Sequence, residues 1–448
     1  MARNTEAHMK RILIYSHDTF GLGNIRRMLE IARHLVQSSP DVSVLVITGS
    51  PMLHAFRIPP RIDYVKLPCL SRNVDGQYGA RFLDLSLAAT VRLRANIIRS
   101  AMSDFAPDLI LVDKKPFGVE DELSGALVAM QSSTQRPKLV LLLRDILDSA
   151  EATTKVWKKN RYFEAIEAYY DEVLVVGAPQ VYDLRHEYQF PPFASAKVTF
   201  CGYIARELGR QSRAEARRGL GAQKDEPMVL VTPGGGEDGH ALIDAYLRGL
   251  LALPVQRRPR SHIVCGPEMA DAQRAAIKRL AATLPQVSLQ DFSDDMMSLM
   301  AAADVVVAMG GYNTVCELLT LRKRAVVVPR IKPGLEQCIR AERMSAIGLL
   351  HMLHPHCLTS EALLAAVHTE LAAMAQPVPH VRRKSLDGLA HATAAIFRLI
   401  GLQSVTGFGG DKPASSDTPS RLPRRNEQTS QSIPWQRHAS TAAAPSAY

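Results

Sequence analysis

The sequence predicts an α/β protein with two doubly wound domains, each built on a largely parallel sheet. Short apolar runs alternate along the chain with stretches that have helical spacing. The runs are apolar throughout, which is typical of strands buried on both faces of a parallel sheet. The alternation stops at residues 201–206 and starts again at Met228 with a glycine loop of its own. We therefore expect two similar domains whose strand ends meet at a cleft.

The first domain is assigned to residues 9–205 and the second to residues 206–375. The predicted strands of the first are residues 11–15, 42–48, 109–113, 138–144 and 172–176, with a helix at 25–37. Those of the second are residues 228–232, 262–265, 287–290, 304–308 and 325–329, with helices at 241–251, 271–284, 296–303 and 314–320. A polar linker with a helix, residues 211–226, separates the two series.

The C-terminal part of the chain changes in composition. We predict a closing helix within residues 376–402. Residues 403–448 are rich in Ser, Pro, Thr and Ala and poor in large apolar residues. Such a segment cannot bury enough surface to offset its chain entropy, so we expect a disordered tail.

Charge and cysteine content limit the class of protein. The net charge of +10 favours anionic partners such as phosphates or an acidic membrane, or marks a solvated surface. No basic motif interleaved with aromatic residues is present, so a nucleic-acid partner is not expected. The six cysteines form no CxxC pair, which fits a reduced, cytoplasmic compartment. No signal-peptide core or membrane-spanning run is found, which predicts a soluble or peripheral protein.

The most informative stretch runs from Phe292 to Arg340. A strand ends at the turn Gly310-Gly311, where the absence of side chains lets a ligand approach the backbone. Asn313 or Thr314 is expected to cap the helix that follows, and the free amides of its first turn attract phosphate. Glu317 then lies one turn into the helix, where its carboxylate can accept two ribose hydroxyls. The next strand is followed by polar side chains suited to sugar hydroxyls and negative charge, namely Glu336, Gln337 and Arg340.

This ordered series resembles the C-terminal domain of family 28 glycosyltransferases, which have the GT-B fold of two Rossmann-like domains. It is similar to the N-acetylglucosaminyltransferase of peptidoglycan precursor synthesis over most of residues 227–348. The resemblance implies that Phe292 and Ser293 meet the uracil edge and that Glu317 binds the ribose. It also implies that Glu336 and Gln337 contact the donor sugar.

Two further elements belong to the donor side. The loop Gly234-Gly235-Gly236 follows a strand and precedes a helix, so it is either a phosphate cradle or an ordinary flexible turn. Arg206 matches an interdomain arginine of the family. It either reaches a phosphate or forms a surface ion pair.

The catalytic side is predicted on the loop that follows the first strand. In the family, a histidine comes directly after the last glycine of this loop, but here the residue is Asn24. Asparagine cannot take a proton from an attacking hydroxyl, although it can hydrogen-bond a sugar. His17 and Asp18 are the nearest replacements, because an imidazole is well suited to general-base work near neutral pH. Arg26 opens the next helix with a second arginine, and the pair either binds an anionic acceptor or is solvated.

Strand-end carboxylates at 113–122 and 144–148 either face the acceptor, or cap helices and carry surface charge. No Asp-x-Asp pair occurs, so no metal at the donor site and no cofactor other than the nucleotide-sugar co-substrate are expected. The segment 83–98 carries apolar residues together with Arg92 and Arg94. It lies either on an acidic membrane surface at the inner face of the membrane or against the core.

The sequence thus predicts a metal-independent glycosyltransferase with a nucleotide-sugar donor. The family resemblance implies that the donor is a UDP-sugar and that the reaction inverts the anomeric centre. Its acceptor would be a glycan, a lipid-linked sugar or a small molecule, for example in cell-envelope polysaccharide synthesis. Two alternatives stay open at this point. One is a sugar-nucleotide 2-epimerase, and the other is a protein that binds a nucleotide sugar without turning it over.

Overall fold

The computed structural model describes residues 9–16, 23–51, 53, 56–72, 77–132, 136–376 and 383–403. All of them fall within one compact unit that ends at Thr406. Two predictions concern residues outside this described part of the chain. These are the catalytic role of His17 and Asp18 and the disorder of the C-terminal tail.

The N-terminal half of the chain forms a seven-stranded, all-parallel sheet in the order β3-β2-β1-β6-β7-β8-β9. Its strands are β1 (Lys10–Ser16), β2 (Val42–Thr48), β3 (Ile62–Lys66), β6 (Leu109–Asp113), β7 (Lys138–Arg144), β8 (Glu172–Val176) and β9 (Val198–Phe200). A separate antiparallel hairpin consists of β4 (Leu70–Arg72) and β5 (Tyr78–Ala80). The helices are α1 (Gly23–Ser38), α2 (Leu87–Phe105), α3 (Ser124–Gln131), α4 (Ala150–Lys159), α5 (Tyr162–Tyr169), α6 (Leu184–Glu187) and α7 (Pro192–Ser195), with a 3₁₀ turn at Val119–Asp121.

The C-terminal half forms a six-stranded parallel sheet in the order β12-β11-β10-β13-β14-β15. Its strands are β10 (Met228–Thr232), β11 (Arg260–Val264), β12 (Val287–Gln290), β13 (Val305–Ala308), β14 (Arg324–Val327) and β15 (His351–Met352). The helices are α8 (Arg213–Gly219), α9 (His240–Ala252), α10 (Asp271–Ala281), α11 (Met296–Ala302), α12 (Tyr312–Leu321), α13 (Glu336–Ala346) and α14 (Ser360–Ala372), with 3₁₀ turns at Val255–Arg257 and Pro355–Cys357.

The last helix returns to the N-terminal sheet. After a 3₁₀ turn at Arg383–Leu386, α15 (Gly388–Leu399) packs against α1 and β8. Arg398 on α15 forms an ion pair of 2.7 Å with Glu172 at the start of β8. The last described helix therefore contributes to the hydrophobic core beside the N-terminal sheet, although it follows the C-terminal sheet in sequence.

The predicted strands of both sheets are present. They could be predicted because central strands of a parallel sheet are buried on both faces and are therefore apolar throughout. Every residue of β6, β8 and β10 is buried. The sequence prediction lacked the edge strands β3, β9 and β15. In β3, residues 63, 64 and 66 are exposed, so the apolar run that marks a central strand is absent there.

Helix α2 faces the core through Thr90, Arg94, Ile98 and Met102. Of the two alternatives for this segment, core packing is therefore correct for the helix itself. In the described part of the chain, no helix is both long enough and apolar enough to cross a bilayer.

A buried histidine in the C-terminal sheet makes stability dependent on pH. His262 on β11 is 3% exposed, and its Nδ1 lies 2.7 Å from Oγ of Ser288. Burial lowers the pKa of His262 to about 4. The unfolded chain takes up this proton near pH 6.5, whereas the folded protein resists it until about pH 4. The stabilising contribution is therefore complete above pH 6.5 and is lost as the pH falls toward 4.

We expect this group alone to lower the free energy of unfolding by about 3 kcal/mol between pH 6.5 and 4. Urea titrations of the wild type and His262→Gln at pH 7, 5.5 and 4 would measure it. The difference between the two proteins should change with pH, since glutamine does not titrate. Parallel pH dependences would contradict the prediction.

Candidate functional site

The loops at the carboxyl ends of the two sheets lie against each other. The hydroxyl of Tyr312, at the start of α12, donates a 2.9 Å hydrogen bond to the carbonyl of Val176, the last residue of β8. The backbone amide of Leu335 donates to Asp148 at 2.9 Å. Ligands bind at the carboxyl ends of strands in open α/β sheets. The candidate ligand site therefore lies at this contact between the two sheets.

The start of α12 is arranged to receive an anion. β13 ends at Ala308, and Gly310 takes a φ of +75° with its Cα close to Val327, so that a Cβ there would lie 2.7 Å from Cγ1 of Val327. The helix begins at Tyr312 after Gly311, and no side chain caps it. The expectation that Asn313 or Thr314 caps this helix is wrong, because both lie inside its first turn. The amides of that turn remain free of a side-chain cap and attract negative charge.

Arg206 lies beside this helix start. Its Nη2 donates a 2.5 Å hydrogen bond to Oδ1 of Asn313, and its backbone amide donates to Oγ1 of Thr320 at 3.0 Å. The residue is 7% exposed, so the alternative of a surface ion pair is excluded. Its Nε and Nη1 are buried and have no hydrogen-bond partner among the described residues. Buried donors of this kind are costly unless a ligand or water satisfies them.

Glu317 lies on α12 with its side chain 4% exposed. Nη1 of Arg26, from the first turn of α1 on the opposite sheet, lies 3.0 Å from its Oε1. The orientation of the two groups does not make this contact a hydrogen bond, and Oε1 has no hydrogen-bond partner in the part of the chain that the structure describes. Glu317 is thus a buried carboxylate with spare acceptor capacity, and Arg26 is not simply solvated.

The residues predicted for the donor sugar divide into two groups. Gln337 lies next to the glycine turn, since a Cβ built on Gly311 would be 4.0 Å from its Nε2. Its Oε1 accepts a hydrogen bond from the amide of Arg330 at 3.2 Å. Glu336 is 23% exposed and lies 3.8 Å from Nη1 of Arg144. Gln337 can therefore reach a ligand at the turn, whereas Glu336 lies beside Arg144 of the other sheet.

Arg340 does not fit the predicted role as a donor contact. Its guanidinium is fully buried and donates to both oxygens of Asp145 on the opposite sheet, at 2.7 and 2.9 Å. Its Nη1 also donates to the carbonyl of Gly310 at 3.3 Å. The guanidinium of Arg340 thus connects the two sheets, and these contacts occupy its nitrogens. Asp145 likewise does not face an acceptor with a free carboxylate.

The loop after β10 is fixed by backbone packing. Gly234 and Gly236 have φ values of +88° and +98°. A Cβ on Gly236 would lie 2.4 Å from the carbonyl oxygen of Cys265, and one on Gly235 would lie 2.6 Å from Oε2 of Glu268. Burial, and then the neighbouring Glu237, raise the pKa of Glu268. The loop is therefore a closely packed turn with a carboxylate beside it, not a flexible one.

We expect Gly236→Ala to disturb this loop more than Gly234→Ala. Both positions have a positive φ that costs a non-glycine residue about 1–3 kcal/mol. Only at position 236 does the new methyl also collide with backbone, whereas position 234 opens into free space. Thermal melting would show a larger loss for Gly236→Ala. Equal losses for the two variants would contradict the packing argument.

Asn24 does not lie free at the catalytic position. Its Oδ1 accepts a 3.2 Å hydrogen bond from Arg27, whose buried guanidinium also donates to Asp113 at 2.7 Å. Asn24 therefore helps to hold Arg27 at the end of β6. His17 and Asp18 precede it on residues that the structure does not describe.

Sequence reasoning missed two cations on this side, Lys114 and Arg144, which follow β6 and end β7. The signal was present in the basic residues at two adjacent strand ends. Together with the groups described above they form the interdomain charge cluster. We define this cluster as Arg26, Arg27, Asp113, Lys114, Arg144, Asp145, Arg206, Glu317, Glu336 and Arg340.

Phe292 and Ser293 follow β12 at the edge of the C-terminal sheet. The Phe292 ring is 56% exposed, and Oγ of Ser293 accepts from the amide of Asp295 at 3.1 Å. The exposed ring is accessible to a ligand. Its contact with a uracil edge stays a prediction.

Comparison with known proteins identifies the C-terminal half. Residues 228–391 match the profile of the glycosyltransferase family 28 C-terminal domain. The resemblance predicted from the series around Glu317 is thereby confirmed.

The curated proteins compared here with this chain carry the name UDP-N-acetylglucosamine--N-acetylmuramyl-(pentapeptide) pyrophosphoryl-undecaprenol N-acetylglucosamine transferase. The protein from Geobacillus kaustophilus is 28% identical over 174 residues, which are 38% of this chain and 46% of the relative. The protein from Acetivibrio thermocellus is 25% identical over 403 residues, 84% of this chain and 94% of the relative. The chain spans about half the length of several curated relatives that it matches, including the first of these two.

Solved structures show the fold of the whole described chain. The glycotransferase of kitacinnamycin has a TM-score of 0.61 at 16% identity, covering 87% of this chain and 99% of that one. MurG of Acinetobacter baumannii has a TM-score of 0.56 at 16% identity with the same coverage. The predicted GT-B fold is therefore confirmed. The individual donor and catalytic roles of the site residues stay predictions.

Proposed function

We propose that this chain transfers a sugar from a UDP-sugar to an acceptor hydroxyl, without a metal ion and with inversion at the anomeric carbon. The observation that carries the proposal is Arg206. Two of its buried guanidinium nitrogens have no partner among the described residues, and they lie beside the uncapped start of α12. A diphosphate placed there would satisfy both features at once.

The reaction builds up negative charge at this position. The acceptor oxygen attacks the anomeric carbon, the bond from that carbon to the diphosphate oxygen breaks, and UDP leaves with the electron pair. Arg206 and the amides of the first turn of α12 would stabilise the departing charge more strongly than the bound donor. The family 28 domain and the names of the curated relatives support UDP as the nucleotide.

The N-terminal sheet would bind the acceptor. The proton of the attacking hydroxyl would pass to His17 or Asp18, since Asn24 cannot accept it and already receives a hydrogen bond from Arg27. Inversion follows from a single displacement, in which the acceptor and UDP lie on opposite sides of the anomeric carbon. The acceptor would be a glycan, a lipid-linked sugar or a small molecule.

A donor screen that measures UDP release would test the proposal. The wild type would be compared with Arg206→Met, Glu317→Ala and His17→Ala, and with Arg218→Ala as an exposed control on α8. We expect the loss of Arg206 or His17 to lower turnover by at least a hundredfold, and the control to behave as the wild type. Release that is unaffected in Arg206→Met would overturn the proposed role of the diphosphate site.

The same screen separates the two alternatives. Incubation with UDP-N-acetylglucosamine in the absence of an acceptor would yield the 2-epimer and UDP from an epimerase. A binding protein would take up UDP in a calorimeter but consume no donor with any acceptor.

We also propose contact with an acidic membrane at the inner face, through the segment that precedes α2. Phe82, Leu83 and Leu85 are 68%, 45% and 45% exposed, and the exposed side chains of Arg92 and Arg99 follow on the helix. Apolar insertion combined with basic charge is the usual basis of peripheral binding. Sedimentation with phosphatidylglycerol vesicles should be lost in Phe82→Asp. Equal binding to phosphatidylcholine vesicles would contradict the electrostatic part.

A further inference from the structure

The interdomain charge cluster contains two more cations than carboxylates. Four cations lie opposite carboxylates, in the pairs Arg26–Glu317, Arg27–Asp113, Arg340–Asp145 and Arg144–Glu336. The two cations without a carboxylate are Arg206 on the C-terminal side and Lys114 on the N-terminal side. No carboxylate of a described residue lies within ion-pair distance of the Lys114 amine. Partly buried excess charge of this kind is unfavourable unless a ligand neutralises it.

Lys114 is held in a conformation that its local sequence does not favour. It follows the last residue of β6 with a φ of +67°, and its amide donates to the carbonyl of Leu142 at 2.9 Å. A non-glycine residue at this φ costs about 1–3 kcal/mol, and such strain concentrates at functional sites. Burial, then the nearby Arg144, lower the pKa of Lys114 to about 8. Two cations are thus brought together at adjacent strand ends.

The loop after Lys114 is held in place by a network of buried hydrogen bonds. Glu122 accepts both Nε and Nη2 of Arg94 at 2.6 and 2.7 Å, and accepts the hydroxyl of Tyr15 at 2.5 Å. The hydroxyl of Tyr170 donates to the carbonyl of Pro116 at 2.6 Å. Glu122 is therefore a structural support and does not face an acceptor, contrary to one of the alternatives for this segment. The network keeps Lys114 in a fixed position without using its charge.

Arg144 is the second cation at these adjacent strand ends. Its Nε is buried without a hydrogen-bond partner among the described residues, and its contact with Glu336 is long, at 3.8 Å. Arg144 and Lys114 lie at the ends of β7 and β6, which pair directly in the N-terminal sheet. Their positive charges therefore act on the same small volume on the acceptor side.

We propose that Lys114 and Arg144 form a second anion subsite, distinct from the diphosphate site at Arg206, that binds an oxyanion of the acceptor. The group is a phosphate or a carboxylate, since both present oxygens to a lysine and an arginine. This inference rests on the proposed function for the identity of the occupant as the acceptor. Its physical basis does not depend on that function: Lys114 has no ion pair with a described residue, and Arg144 has only a long one with Glu336.

Calorimetry of the full-length protein tests the subsite without an acceptor. Inorganic phosphate and acetate, one in each arm, are titrated into the protein alone and into the protein saturated with UDP. We expect one of the two anions to bind in both conditions, and to bind at least tenfold more weakly in Lys114→Met and in Arg144→Met. Lys114→Arg should restore binding, because it keeps the charge.

Lys115→Met is the matched control, since the amine of Lys115 lies over the ring of Tyr78, 5.3 Å from its centroid. It should bind the anion as the wild type does, and melting curves would confirm that each variant is folded. Anion binding that survives in folded Lys114→Met, or that is absent from the wild type in both conditions, would overturn the subsite. A failure to bind UDP with anion binding intact would overturn only the proposed function.

Discussion

Arg340→Met is expected to destabilise the protein by about 3–5 kcal/mol, because it leaves the carboxylate of Asp145 buried without its partner. Asp145 is 0% exposed and accepts both Nε and Nη2 of Arg340. Burial disfavours the charged arginine, but the adjacent Asp145 outweighs it and raises the pKa of Arg340. The guanidinium of Arg340 therefore stays charged at any pH at which the protein folds. For domains of this size, the loss corresponds to a decrease in Tm on the order of 10 °C.

The chain offers a matched control in a second ion pair between the same two sheets. Arg343 lies one turn further along α13 and contacts Glu187 at 2.6 Å, but its side chain is 49% exposed. Exposed pairs contribute about 0–1 kcal/mol, so Arg343→Met should melt close to the wild type. The double variant Asp145→Leu with Arg340→Met should recover part of the loss, since it removes both charges. Scanning calorimetry of the four proteins would decide. Equal melting of Arg340→Met and Arg343→Met would contradict the role assigned to the buried pair.

The ion pair between Arg340 and Asp145 could not be predicted from the sequence. The central strands could be predicted because burial on both faces leaves a local record, an unbroken apolar run. The turn Gly310-Gly311 and Glu317 could be predicted because their spacing along one strand-turn-helix unit fixes their geometry. The partner of Arg340 is 195 residues away in the sequence, and nothing local indicates it. Side chains that meet across the two sheets become visible only when both sheets are placed.

The same limit explains the residues whose role changed. Arg26 at the start of a helix has the sequence signature of a solvated residue, yet it contacts Glu317 on the other sheet. Lys114 has the signature of a surface lysine after a strand. Its positive φ depends on the packing of the loop beneath it, which involves Tyr15 and Glu122 from separate parts of the chain.

Glu317→Gln is expected to weaken UDP binding by about a hundredfold, which corresponds to about 2.7 kcal/mol. A buried carboxylate can accept both hydroxyls of a ribose in charge-assisted hydrogen bonds, and such bonds contribute about 1.5–3 kcal/mol each. The amide keeps one oxygen and presents a donor where the second acceptor was. Among the described residues, Oε1 of Glu317 has no hydrogen-bond partner, so its acceptor capacity is available to the ribose.

A ligand that lacks one ribose hydroxyl tests specifically whether Glu317 binds the ribose. The wild type should bind 2′-deoxy-UDP at least tenfold more weakly than UDP, whereas Glu317→Gln should distinguish the two ligands much less. Glu342→Gln, an exposed glutamate on α13, serves as the control and should discriminate as the wild type does. If Glu317→Gln still prefers UDP over 2′-deoxy-UDP by the wild-type factor, Glu317 does not bind the ribose.

The contact with Arg26 adds a test of how the site opens. Arg26 places its guanidinium 3.0 Å from Oε1 of Glu317, the same oxygen that the ribose would use. A ribose and Arg26 therefore compete for this carboxylate, or Arg26 turns toward the diphosphate when the donor binds. Competition predicts tighter UDP binding in Arg26→Ala, and a turn toward the diphosphate predicts weaker binding. Because the arginine side chain is 36% exposed and can move without disturbing the core, we expect the second result, with a loss of about tenfold for one exchanged charge contact. Calorimetry of Arg26→Ala beside Glu317→Gln would decide between the two, and tighter binding in Arg26→Ala would contradict our expectation.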